Sequence, residues 1–167
     1  LAAKGKLAWT GSEKEVKLHE ATLSFSGGTA SFPGHFNPDK GLSLNVRVEG
    51  DEVEAVAEAL LLPVTGRFQL IGMLSGKIHD PSFSGEVKSD YWAFKQHPFG
   101  SLQSQVAYRD KTILFQKASV KSAMGEGTAS TSGTIHFGKE PAYYLTSDIQ
   151  SINPQEIIPF FKPGIPL

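Results

Sequence analysis

From Leu42 to Val48 the chain reads Leu-Ser-Leu-Asn-Val-Arg-Val, apolar and polar residues exchanging without a break. A period of two has one structural meaning: successive side chains point to opposite sides of an extended strand, one side toward apolar surroundings and the other toward water. Shorter stretches of the same kind run from Val16 to Leu18, Leu23 to Phe25, Phe68 to Leu70, Val106 to Tyr108, Ile113 to Phe115 and Ile135 to Phe137. Turn-forming residues punctuate them at Ser26-Gly27-Gly28, Asp39-Lys40-Gly41, Asp80-Pro81, Arg109-Asp110-Lys111 and Gly125-Glu126-Gly127. The chain spends 17 glycines and 10 prolines with no short period, as a protein with many tight turns does. A turn every ten residues or so predicts a meandering antiparallel sheet.

Two segments depart from alternation. Between Asp51 and Leu61 the apolar residues fall at 53, 56, 57, 60 and 61, a helical stripe, with Asp51 and Glu54 spaced as a capping box. Between 153 and 161, Asn153 is placed to cap and Pro154 to occupy the first helical position, while Pro159 keeps the helix short. Both helices hold matching places in an internal repeat. Gly28-Thr29-Ala30-Ser31 returns as Gly127-Thr128-Ala129-Ser130 and Gly34 as Gly133, with 127 − 28 = 99 and 133 − 34 = 99. Ala21-Thr22-Leu23 parallels Ala118-Ser119-Val120, an offset of 118 − 21 = 97. An alternating strand leads into each helix (Leu42 to Val48, Tyr143 to Ile149), and a proline follows each (Pro63, Pro163). Repeats of this length stack in space, each continuing the sheet of the one before. The expected fold is therefore mainly β: an elongated antiparallel sheet of two repeats related by the 99-residue offset, residues 1–72 and 73–167, each with one short amphipathic helix.

The same sequence argues against most chemistry. With 167 residues the chain can bury a sizeable core, and 40% apolar against 20% charged residues is a globular balance. A formal net charge of −1 without a basic stripe argues against nucleic acid. The absence of cysteine excludes disulfides and thiol chemistry, and is compatible with either redox compartment. His19, His35, His79, His97 and His136 do not pair at ligand spacing, so no metal or cofactor is expected. Gly125-Glu126-Gly127 lacks the lysine and following helix of a phosphate loop and reads as a turn. There is no G-x-S-x-G elbow and no paired carboxylate constellation, so the chain reads as a non-enzyme. No apolar run reaches the ~18 residues that span a bilayer. The chain opens Leu1-Ala2-Ala3 without Met and reads as a piece of a longer protein. Its 11 phenylalanines, with Tyr91, Trp92, Tyr143 and Tyr144, lie mainly in or beside strands. They fit an ordinary core, or an apolar face too wide for two short helices to cover.

The order of motifs resembles the repeats of the AsmA-like superfamily, in particular the TamB (translocation and assembly module) proteins of Gram-negative envelopes. The residues that carry the likeness are Gly66-Arg67-Phe68-Gln69-Leu70-Ile71-Gly72, Pro81-Ser82-Phe83-Ser84-Gly85-Glu86-Val87, Ser101-Leu102 with Val106 to Asp110, Gly127 to Ile135, and the helix start between Ile152 and Ile157. They are turn glycines and alternation, and the helix inserted once per unit is the most discriminating of them. The resemblance implies a periplasmic segment of an inner-membrane-anchored protein, built as a curled, β-taco-like sheet with an apolar inner face. It implies phospholipid or nascent outer-membrane protein as cargo, and an Omp85-type barrel as partner of the full-length protein. On that reading the groove is lined by Leu42, Leu44, Val46, Val48, Phe68, Leu70, Val106, Tyr108, Ile113 and Phe115. The alternative is a structural or adhesive β-repeat spacer in which the same residues form a closed core.

Overall fold

A computed structural model describes residues 4–12, 15–51, 64–94, 97–123, 125–137 and 142–152. Its twelve strands are β1 (Lys4–Ser12), β2 (Glu15–Phe25), β3 (Gly28–Ser31), β4 (Gly34–Asn37), β5 (Gly41–Gly50), β6 (Val64–Lys77), β7 (Asp80–Phe94), β8 (His97–Phe99), β9 (Leu102–Arg109), β10 (Thr112–Lys121), β11 (Thr128–His136) and β12 (Ala142–Gln150). All belong to one antiparallel sheet with the path β1-β2-β3-β5-β6-β7-β9-β10-β11-β12; β4 lies between β2 and β5, and β8 extends along β7. Strands pair with the next strand in sequence except that β3 and β4 lie end to end between β2 and β5, and β8 and β9 both pair with β7; the whole is the meander that the turn spacing predicts. β1 and β12 do not pair with each other, so the sheet stays open.

Local chemistry accounts for the turns. Asp110 and Lys111 both take positive φ, 49° and 57°, the left-handed pair that closes a two-residue hairpin with the twist of its strands. Gly27, at φ 79°, turns β2 into β3. Asn37 Oδ1 accepts from the amides of Asp39 and Lys40, both at 2.9 Å, fixing the bend before β5. One expected turn is displaced. Asp80-Pro81 opens β7, paired with Lys77 and Gly76, and the reversal itself is Ile78-His79. Proline at the start of a strand forfeits little, because its missing N–H falls at the end of the ladder.

Three glycines expected as turn residues lie inside strands instead. Gly72 and Gly85 face each other across β6 and β7, and Gly133 faces Leu145 across β11 and β12. A Cβ on Gly72 would stand 2.5 Å from Phe83 Cζ, one on Gly85 2.7 Å from the same atom, and one on Gly133 2.7 Å from Leu145 Cδ2. The missing side chains let the Phe83 ring and the Leu145 side chain lie down on the sheet. Phe25 covers Gly28 in the same manner, its ring carbons 2.7 Å from where a Cβ would be.

Alternation also slips at two places with a common cause. In β2 the apolar phase passes from Val16 and Leu18 to Ala21, Leu23 and Phe25; in β10 it passes from Ile113 and Phe115 to Ala118 and Val120. Each slip is a β-bulge: Leu18 pairs with Trp9 but Glu20 with Ala8, and Phe115 with Gly133 but Ala118 with Thr131. The extra residue returns the apolar side chains to their original face.

The expected helices, 51–61 and 153–161, lie outside the described residues apart from Asp51. Asp51 ends β5: its amide donates to the Gly27 carbonyl at 2.7 Å, and its carboxylate pairs with Arg67 at 2.8 Å. The division at 72/73 falls within β6, and the sheet runs through it without interruption.

Candidate functional site

Strand register gathers the ten expected lining residues onto one side of the sheet. Val46 pairs with Gly72, Gly72 with Gly85, Gly85 with Val106, Val106 with Phe115, and Phe115 with Gly133. That row crosses six strands. Beside it runs Leu44-Leu74-Phe83-Tyr108-Ile113-Ile135, and on its other flank Val48-Leu70-Val87. Leu42 and Phe68 lie at opposite ends of the β5–β6 pairing, facing Gly76 and Gly50. Since paired residues share a face, Leu42, Leu44, Val46, Val48, Phe68, Leu70, Val106, Tyr108, Ile113 and Phe115 form one apolar surface together with Leu74, Phe83, Val87 and Ile135.

All ten are half-buried; none is sealed and none fully open. Among the described residues the buried apolar side chains are four alanines and Phe99, and the large aliphatic and aromatic groups of this face each keep part of their surface accessible. At the sheet's margins the surface opens further. Leu7 and Trp9 on β1 are 62% and 60% exposed, and Leu145 on β12 is 57% exposed.

The opposite face is polar and tied across strands. Glu49 accepts from Gln69 Nε2 at 2.7 Å and from the Arg47 guanidinium, linking β5 to β6. Glu86 pairs with Lys88 at 2.8 Å and accepts from Gln103 Nε2 at 2.6 Å, linking β7 to β9. The Gln69 and Arg47 donors hold the Glu49 carboxyl below the usual glutamate range, and Lys88 with Gln103 does the same for Glu86. A depressed carboxyl pKa favours the folded state above the unfolded value, about pH 4.3, and that contribution disappears as pH falls through the folded value. Glu49→Gln should therefore lower stability slightly at pH 7 and flatten the acid limb below about pH 4.3, read by thermal melts between pH 2.5 and 7. An unchanged acid limb would mean that the cross-strand contacts contribute nothing.

Ile71 and Met73 break this polar face and stand exposed between Arg47, Asn45, Glu86 and Ser84. A depression of about 420 Å³ at the ends of β5 and β6 is lined by Glu49, Asp51, Arg67, Gln69, Lys88 and Asp90 among others; of the expected lining it includes only Phe68. His19 and His136 bond to threonines, Thr10 at 2.8 Å and Thr112 at 3.0 Å. Among the described residues no group of three His, Asp or Glu could hold a metal ion, and no helix is long and apolar enough to cross a membrane. Sequence reasoning missed Leu74, Phe83 and Val87, the residues that join the two halves of the surface. The Phe83-Ser84-Gly85-Glu86-Val87 alternation was the signal that could have found them.

No family model, curated protein or solved structure matches the chain.

Proposed function

We propose that this chain is a repeat segment of an envelope-spanning protein of the AsmA-like, TamB type, whose apolar face shelters phospholipid acyl chains or the strands of nascent outer-membrane proteins. The observation that carries the reading is a single apolar surface, continuous across neighbouring strands, whose large side chains are half-buried. Each methylene that leaves water for such a surface gains about 0.8 kcal/mol, so a passive trough suffices and no catalytic group is required.

The finer architecture belongs to the same proposal: two units of about 99 residues in a curled sheet, with one short helix each. The two bulges support it, because Leu18 and Ala21 stand to Phe115 and Ala118 at one offset, 115 − 18 = 97 and 118 − 21 = 97. Placement in the periplasm and an Omp85-type partner rest on the resemblance alone.

The reading is tested by photo-crosslinking amino acids at Val46, Phe115 and Asn45, the last on the polar face, with the protein mixed into phosphatidylethanolamine vesicles. Capture of lipid from Val46 and Phe115 should exceed that from Asn45 several-fold; equal capture at all three sites defeats the proposal. A second reading, a spacer with a closed core, is favoured by one fact: none of the ten lining residues is fully exposed. An environment-sensitive dye that stays dark on the native protein would select it.

A further inference from the structure

The two marginal strands are laid bare along almost their whole length. Every residue of β1 but Ala8 is exposed, and so is every residue of β12 from Tyr144 to Gln150. Among the described residues no strand pairs with the outer side of either. Yet each margin is the counterpart of an interior strand. β1 precedes and pairs with β2 as β9 precedes and pairs with β10, and β2 and β10 carry matching bulges. β12 stands to β11 as β5 stands to β3: Ala129 faces Ile149 where Ala30 faces Val48. Both counterparts are paired on two sides, β9 also with β7 and β5 also with β6. An open strand edge with alternating side chains is a template for another strand.

The two edges also complement each other. Neighbours along the ten-strand path are antiparallel throughout, so β1 and β12 run in opposite directions, and a copy laid alongside with the same face up sets them antiparallel. Leu7 and Trp9 pair with Ala21 and Leu18, and Leu145 and Ile149 with Gly133 and Ala129, which puts all four on the apolar face. On the polar face β1 carries Lys4 and Lys6, and β12 carries Asp148. With Lys6 opposite Asp148, Trp9 falls opposite Leu145 and Gly5 opposite Ile149, a large side chain facing a glycine as Leu145 faces Gly133. Pairing β1 with β1 about a twofold axis would instead gather Lys4 and Lys6 of both copies along one seam. We propose that β12 of one copy pairs antiparallel with β1 of a second copy, so that the sheet continues from molecule to molecule with its apolar face on one side. Such a contact uses different surfaces on the two partners and builds rings or chains, not a twofold dimer. It goes beyond the trough reading and needs no ligand.

The chain has no cysteine, which makes single introduced thiols specific reporters of the seam. Lys6→Cys and Asp148→Cys, mixed under mild oxidation, should form disulfide dimers at least about fivefold faster than either variant alone, because cross-strand neighbours bring their Cβ atoms within disulfide reach. Equal rates in the mixture and in the separate variants overturn the proposal. So does faster dimerisation of Lys6→Cys by itself, the mark of a twofold β1 seam.

Protein without introduced cysteines gives an independent answer. In sedimentation velocity the average mass of the wild type should rise above that of the monomer as concentration increases. Lys6→Glu or Asp148→Lys should weaken association about two- to fivefold, the range of an exposed ion pair, and the two together should restore it. A wild type that stays monomeric overturns the proposal. Association that ignores both charge changes and disappears with Phe115→Asp belongs to the apolar face, and overturns it as well.

Discussion

Gly85→Val should lower the unfolding temperature by about 5–10 °C, although valine is a better strand former than glycine. The new Cβ would meet the Ile71 carbonyl oxygen at 2.3 Å, the Gly72 Cα at 2.7 Å and the Phe83 ring at 2.7 Å. Two of these are backbone atoms of the paired strand and cannot swing aside. The third is a ring that must stand up off the sheet, giving up its contacts with both glycines. Overpacking of this kind costs typically 1–3 kcal/mol, and a chain of this size loses 2–4 °C per kcal/mol. Ser84→Val, on the neighbouring residue and the exposed polar face, is the control and should leave the melting temperature nearly unchanged. If Gly85→Val melts with the wild type, Phe83 does not rest on the Gly72–Gly85 pair in solution.

The second large effect is expected at Phe115, and its sign pattern decides between trough and closed core. Phe115 lies between Val106 and Gly133 in the row that crosses the sheet. Phe115→Asp sets a carboxylate on that row. On a half-open surface the charge reaches water, so stability falls by only about 1–2 kcal/mol, roughly the lost half-burial of the ring. Binding of a hydrophobic dye or acyl chain should meanwhile drop at least about tenfold, because the ligand would have to strip water from the carboxylate. In a sealed core the order reverses: an unpaired buried charge costs several kcal/mol and the fold is lost, with no dye binding to lose beforehand. Urea unfolding and dye titration on the same samples separate the outcomes. Gln116→Asp, exposed on the other face and paired with the neutral Gln105, should change neither. Weakened binding in that control as well would show that net charge, and not the surface, governs dye uptake.

The strand content was legible because alternation is a local property. Leu42 to Val48 announces a strand with two unlike faces wherever it is read, and β5 is that strand, its register with β6 unbroken. Turns were legible where a short-range rule governs them, as at Asp110-Lys111. What could not be read locally was what glycine does inside a strand. By default a glycine beside polar residues signals a turn, yet Gly72 and Gly85 are there because Phe83 needs room, and nothing in the eleven residues around either one says that the other will be opposite it. The displaced reversal at Ile78-His79 has a related origin, since Asp80-Pro81 is the stronger local turn signal and is outweighed by ladder pairs on both sides. The bulges were half visible: the change of phase between Phe115 and Ala118 is written in the sequence, but its meaning as one extra residue required the partner strand. The apolar surface follows the same division. Its members on β5, β6, β9 and β10 came from alternation alone, while the continuity supplied by β7 came from pairing.

The open path of the sheet, with β1 and β12 as its margins among the described residues, has a mechanical corollary. Tension applied between the two margins acts across the strands and loads their hydrogen bonds one after another instead of together. Under such a pull the strands would peel in sequence from an edge, each release lengthening the chain by one strand while the remainder stays paired. A protein built this way yields gradually to stretching across its strands, where a closed barrel of equal strand number would hold and then fail at once.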